Sequence, residues 1–257
     1  MRHMYDLSVI EKAIQLKNNS QDPNVTSYLE FGFILRAFQI REAYIFLNGL
    51  SQDDTIVGPL PNNDFAYANL CLNSFYYNMF GALDNLTWII KYRYNIFPDI
   101  NESHRKKITI SLLNKEFANE LKQKSNYLYN KLCDFKDIYN EIKKMRDLTA
   151  HRLPLHIPAG YISTDDRDKY NDEVKKYNEM VNVNTDGLSM EAVDKKIEES
   201  TIQLRKIHQF KQFHPVLIQI DPVNKTEEPT NFFKLKEKID TVYLTFFSFS
   251  EEVIITI

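Results

Sequence analysis

The segment Arg146-Asp147-Leu148-Thr149-Ala150-His151-Arg152 sets a guanidinium, a carboxylate and an imidazole close together, just before Leu153-Pro154. Arginine clamps phosphate, histidine moves protons near neutral pH, and an acid can aim the histidine. The trio Arg146, Asp147 and His151 therefore suits phosphodiester cleavage without a metal. On a helix, Asp147 and His151 are four residues apart and share a face. The aspartate can then accept from one ring nitrogen and leave the other for proton transfer. A place in the last helical turn also favours imidazolium, through the negative end of the helix dipole. Arg146 lies about 140° around a regular helix from His151. Either the helix end unwinds, or a second copy across a two-fold axis supplies the complement. A plain packing reading stays open beside this. Arg146 would pair with a neighbouring helix, and Asp147–His151 would be a surface pair worth a few tenths of a kcal/mol.

The charge pattern supports an anion near that segment. The net charge is −3, which argues against a general nucleic-acid binder. Residues 1–90 hold five Lys/Arg against nine Asp/Glu, 91–152 hold fourteen against eight, and 153–257 hold thirteen against eighteen. The basic middle ends on the Arg/His cluster and can focus positive potential there. Lys143, Lys144 and Arg152 are the candidate substrate-binding cations; a merely solvated helix face explains them equally well. Asp84, the lone charge of residues 65–90, is either a second acid lining the cleft or a buried acid with a cationic or backbone partner. His156, between Pro154 and Pro158, either reaches the cleft or is an exposed loop residue. Tyr76, Tyr77, Tyr92 and Tyr94 offer rings for stacking on bases or for the core. Trp88 reads as core.

Several classes are excluded. The six glycines are scattered, so neither a Walker nor a Rossmann phosphate loop can form. Cys71 and Cys133 have no zinc spacing and read as buried, reduced thiols of a cytoplasmic protein. His208 and His214 have no ligand spacing with His151, so no metal and no cofactor is expected. The first residues lack the apolar core of a secretion signal. Residues 65–90 are interrupted by Asn69, Asn73, Ser74, Asn78 and Asn85, which suits a buried helix and not a membrane span.

Apolar spacing predicts helices over 6–18, 27–50 and 65–96, with loops at 18–23 and 51–64 and a stop at Pro98. Two more are predicted over 109–132 and 134–152, the second capped by Asp134 with Asp137 behind it. Phe135, Ile138, Tyr139, Ile142, Met145 and Leu148 form its apolar stripe. Pro154 disfavours helix at Leu153. Residues 153–163 look extended, and 165–180 and 190–210 return to helix. Val216 to Ile220 alternates like a short strand. The end, 232–257, reads as helix despite its β-branched tail. The sum is an all-α helical bundle with at most one short strand.

The Arg146, Asp147 and His151 pattern resembles the HEPN superfamily, the higher-eukaryote and prokaryote nucleotide-binding domain. Its mark is an arginine, usually a polar residue next, and a histidine roughly four to six residues further on. The run His151-Arg152-Leu153-Pro154-Leu155-His156-Ile157-Pro158 is similar to an uncharacterised bacterial subgroup. Phe80-Gly81-Ala82-Leu83-Asp84-Asn85-Leu86-Thr87-Trp88 is similar to the long first core helix of such domains. The resemblance implies a HEPN-like core over 65–160, N-terminal helices over 1–64 packing on it, and a C-terminal helical extension over 161–257. It implies a homodimer with paired motifs meeting in a cleft. It further implies a metal-independent endoribonuclease of a bacterial defence or toxin–antitoxin system, acting on RNA, with an antitoxin or other protein partner. A ribose 2′-hydroxyl would attack the adjacent phosphate. His151 would be the general acid/base, Arg146 would stabilise the transition state, and Asp147 would orient His151. Some members are non-catalytic modules that bind a protein or a nucleotide, which is the alternative expectation. The long flanks, and an acidic 153–257 segment able to cover the cleft, set this chain apart from the simplest members.

Overall fold

The stretch with a single charge folds as the central rod of the molecule, α4 (Asn62–Tyr94), which buries Leu72, Phe75, Met79, Leu86 and Ile90 among others. Its interrupting asparagines do not break it because they bond to their own helix. Asn69 donates to Phe65 O at 2.9 Å, Asn73 to Asn69 O at 2.7 Å and Asn78 to Ser74 O at 3.0 Å. The helix ends at Asn95, left-handed at φ 50, where asparagine is better tolerated than a branched residue. This computed structural model describes residues 2–101, 103, 110–151, 155–182, 187–219 and 231–257. Among them, no helix is long and apolar enough to cross a membrane.

The remaining elements wrap that rod. The N-terminal part is α1 (Arg2–Asn19), α2 (Pro23–Ser27), a π-helical turn over Tyr28–Ile34, and α3 (Leu35–Gln52). Asp22 caps α2 by accepting from the Asn24 amide at 2.8 Å, with Pro23 at the first helical position. After α4 come α5 (Lys115–Lys124), α6 (Asn126–His151), α7 (Thr164–Val181) and α8 (Met190–Ile207). Strands β1 (Val216–Gln219) and β2 (Asn231–Lys234) follow, then α9 (Leu235–Thr256). The all-α bundle is as expected. Two short strands replace the expected one: Leu217 pairs with Phe233 and Ile218 with Phe232, antiparallel. The Phe232-Phe233 pair read as helix because the same apolar residues continue into α9.

One apolar core holds the bundle together and runs from Val9 to Ile254, with Phe33, Phe75, Phe135 and Phe246 fully or almost fully buried. Phe135 and Phe249 stack at 4.2 Å between α6 and α9. Each such phenyl contributes roughly 1.5–3 kcal/mol by leaving water. Helix α9 packs against α1, α3 and α6 and forms one wall of the bundle. A buried polar knot ties α1, α3 and α9. Asp6, 1% exposed, accepts from the Tyr243 hydroxyl at 2.5 Å and pairs with Arg41 Nε at 3.1 Å. Burial first, and then the Asp6 bond, push the Tyr243 phenol up.

The boundary expected near Cys133 lies instead at Ser125, whose hydroxyl accepts from the Leu128 amide at 3.3 Å. Leu128, Leu132, Phe135, Tyr139 and Ile142 form one buried stripe across the expected break, so packing overrides the local cap signal at Asp134. The same register turns Cys133 outward: only Cys71 is a buried thiol, and Cys133 is exposed.

Helices α7 and α8 form a hairpin on the outside, and α7 buries none of its residues. Gln203 joins the pair by donating to Glu173 O at 3.0 Å and to its carboxylate at 2.7 Å. Gln203→Ala should cost this hairpin about 1–3 kcal/mol of local stability. Hydrogen exchange would then speed up in 164–207 while α4 amides stay protected; equal acceleration in both would contradict the hairpin's independence.

Candidate functional site

Positions on α4 that look unrelated in sequence meet α3 and α6 across its surface. From α6, the Arg146 guanidinium lies 3.9 Å over the Phe80 ring. Its Nη1 is 3.1 Å from Asp147 Oδ1. Phe80 also faces Tyr139, ring centres 5.9 Å apart. The aromatic floor desolvates one side of the guanidinium and holds its plane. From α3, Arg36 donates to Asn78 Oδ1 at 3.1 Å. Asn78 is itself anchored by donating to Ser74 O and Ser74 Oγ, at 3.0 and 2.9 Å.

Asp84 lies within the field of both arginines. Burial pushes its carboxyl up to about 6, against the pull of Arg146 and then Arg36. So the lone charge of the apolar run has cationic neighbours, on the two helices that flank α4. Tyr139 belongs to the same group: burial pushes its phenol up, Ser111 lowers it, and Asp84, Arg146 and Asp147 all act on it. The Ser111 and Tyr139 hydroxyls are 3.3 Å apart. With Asp84 and Asp147 ionised, the two arginines are balanced. With Asp84 protonated, the cluster gains a net positive charge, which would favour an anion beside it.

The foreseen residues divide as follows. Arg146, Asp147 and Asp84 are brought together. His151 is the last residue of α6, and its side chain lies outside the described residues, as does all of Arg152. Asp147 is engaged by Arg146; the bond expected from it to His151 falls on that undescribed side chain. Lys143 and Lys144 are exposed on α6. His156 is not brought to the cluster. It bridges Ile218, and the next residue, Ile157, donates to Asn69 Oδ1 at 2.8 Å. Asn69 is roughly four turns, or ~22 Å, along α4 from Asp84. The two prolines around His156 favour this extended course, which the sheet edge then captures. Of the tyrosines, Tyr76 is fully buried and Tyr77 is 56% exposed. Trp88 packs flat on Tyr28, centres 5.7 Å apart.

Sequence reading missed Arg36, Asn78, Tyr139 and Ser111 as site residues. The available signal for Arg36 was Gly81, the single glycine of α4. A Cβ there would sit 2.6 Å from the Arg36 Cζ, so the glycine is the seat of that guanidinium. Gly81→Ala should leave stability unchanged or raise it by up to about 1 kcal/mol, since alanine is the better helix former and arginine can move aside. Anion binding at the cluster should nonetheless weaken about tenfold, because Arg36 loses its place on Asn78. A titration with a short RNA beside a melting curve checks both; unchanged affinity would remove Arg36 from the site.

Comparison of the chain with family models, with curated proteins and with solved structures finds no match in any of the three.

Proposed function

We propose that the chain is a HEPN-like, metal-independent endoribonuclease, with Arg146 and His151 as its catalytic pair. The observation that carries this reading is the seating of Arg146. Its guanidinium is stacked on Phe80, 22% exposed, and shares its surroundings with Asp84. An arginine fixed in this way is preorganised for the charge of a pentavalent phosphate. His151 stands at the carboxyl end of the same helix. The 2′-hydroxyl of the substrate attacks the neighbouring phosphate while His151 exchanges the proton, and a 2′,3′-cyclic phosphate and a 5′-hydroxyl result. Asp147 steadies Arg146 by direct contact and is one helical turn from His151.

Because α6 stays helical through His151, positions 146 and 151 lie about 140° apart around it. Two copies meeting on this face would bring Arg146 of one to His151 of the other, so the working unit of the proposal is a homodimer. RNA is the substrate, the cytoplasm is the place of action, and control falls to a protein partner of the antitoxin kind in a defence system. The test is RNA cleavage in EDTA by the parent and by His151→Ala. Cleavage by the parent alone supports the reading. Binding without cleavage by both would favour the other reading, a non-catalytic module that holds RNA, a nucleotide or a protein.

A further inference from the structure

A second polar group enters a glycine seat one turn from the first. Gly32, in the π-helical turn, faces Asn85 of α4, and a Cβ on it would lie 2.6 Å from Asn85 Cγ and Nδ2 and 2.9 Å from Oδ1. The arrangement mirrors Gly81 under Arg36. On one helix the order is Gly32 then Arg36; on the other it is Gly81 then Asn85. The carboxamide and the guanidinium are therefore about one helical turn apart along the same α3–α4 seam.

Around Asn85 lies an open pocket of about 220 Å³, lined by Ser27, Tyr28, Phe31, Gly32 and Asn85. Three features of this pocket bear on what it could hold. Phe31 projects from it, 75% exposed. Tyr28 is held parallel to Trp88 within 3°, which makes a rigid wall. Asn85 Oδ1 is shut off from water, and no group among the described residues donates to it. A buried acceptor left unpaired is costly unless something completes it. Turns of the π type are often kept where a site needs them. This one seats Gly32 under the carboxamide.

We propose that this pocket receives one base of the RNA. The base lies against Phe31, and its hydrogen-bonding edge meets the Asn85 carboxamide, whose terminal torsion is broad enough to turn toward it. A carboxamide has a donor and an acceptor side by side, which matches a base edge, and an exposed aromatic face matches the base plane. The spacing from Asn85 to Arg36 suits the reach of one nucleotide from base to phosphate. A purine covers more of Phe31 than a pyrimidine and is preferred. The pocket thus gives the arginine cluster a register on the strand. The inference rests on the ribonuclease reading for the identity of the ligand, since the phosphate that accompanies the base is the one held by Arg36 and Arg146.

The experiment compares 5′-AMP with ribose 5-phosphate, which keeps the sugar and phosphate and lacks the base, by calorimetry on the full chain. The parent binds 5′-AMP about tenfold or more tightly than ribose 5-phosphate. Phe31→Ala, an exposed position that leaves the core intact, and Asn85→Ala each bring 5′-AMP down to the ribose 5-phosphate level. Equal affinity of the two ligands in the parent, with both weakened by Arg146→Ala, overturns the base pocket and leaves the phosphate site standing. Binding of neither ligand overturns the pocket and the arginine site together. Tighter 5′-AMP binding that survives both Phe31→Ala and Asn85→Ala places the base elsewhere and also overturns the proposal.

Discussion

Arg146→Ala and His151→Ala are each expected to slow RNA cleavage by about two to four orders of magnitude, the range seen for loss of a general acid/base or of a transition-state donor. The arginine effect follows from its setting. The ring of Phe80 below and Asp147 beside it hold the guanidinium before substrate arrives, so little reorganisation is left for the reaction. Arg146→Lys should recover little, because an ammonium cannot lie flat on the ring or fork onto two phosphate oxygens. Stability changes should be small beside the rate loss, since an arginine–aromatic contact at a partly exposed site is worth ~0.5–1 kcal/mol. The proposed dimer adds a sharper expectation. Mixed in equal amounts, inactive Arg146→Ala and inactive His151→Ala chains should regain about a quarter of the parent activity. Half of the dimers are then mixed, and each mixed dimer has one intact composite site. No recovery after subunit exchange is shown would mean that one chain supplies both groups.

Asp84→Asn is expected to change the pH dependence of both stability and RNA binding. The folded carboxyl titrates near 6, well above its ordinary value of 3.8, because burial outweighs the two arginines. Folding therefore takes up a proton between those two values. The contribution of this group is most favourable at low pH, declines as pH rises to about 6, and is level above that. Its ionisation costs at most ~2–3 kcal/mol at neutral pH. The difference in unfolding free energy, Asp84→Asn minus parent, should be near zero at pH 4 and positive, up to that size, at pH 7.5. On the ribonuclease reading, RNA binding should follow the same protonation. The parent should bind more tightly at pH 5 than at pH 7.5, and the variant should bind tightly at both. A parent and a variant with parallel pH curves would show that Asp84 does not titrate near the arginines.

Much of this molecule is written in local patterns. The length of α4, its arrest near Pro98, the stripe of α6 and the helical end of the chain all follow from apolar spacing. The errors arose where two local signals competed. Asp134 looks like a cap, but Leu132 and Phe135 continue one buried stripe past it, and the longer pattern wins. Phe232 and Phe233 suit helix or strand equally, and only the pairing with Ile218 and Leu217 decides between them. The site was half legible. Arg146 and Asp84 stand out by type and context within single helices. Arg36, Asn78, Tyr139 and Asn85 do not, because their meeting depends on the register of α3 and α6 against α4, which no single-helix periodicity contains. Gly32 and Gly81 hint at that register, each sitting where a polar side chain of the facing helix must enter.

The most direct measurement is the chemistry of the RNA ends produced in EDTA by the parent and by the Arg146→Ala/His151→Ala double variant. The parent should yield 2′,3′-cyclic phosphate and 5′-hydroxyl ends, and the folded double variant none. Cleavage by the double variant at the parent rate, or 5′-phosphate ends formed only when a divalent ion is added, would contradict the proposed mechanism.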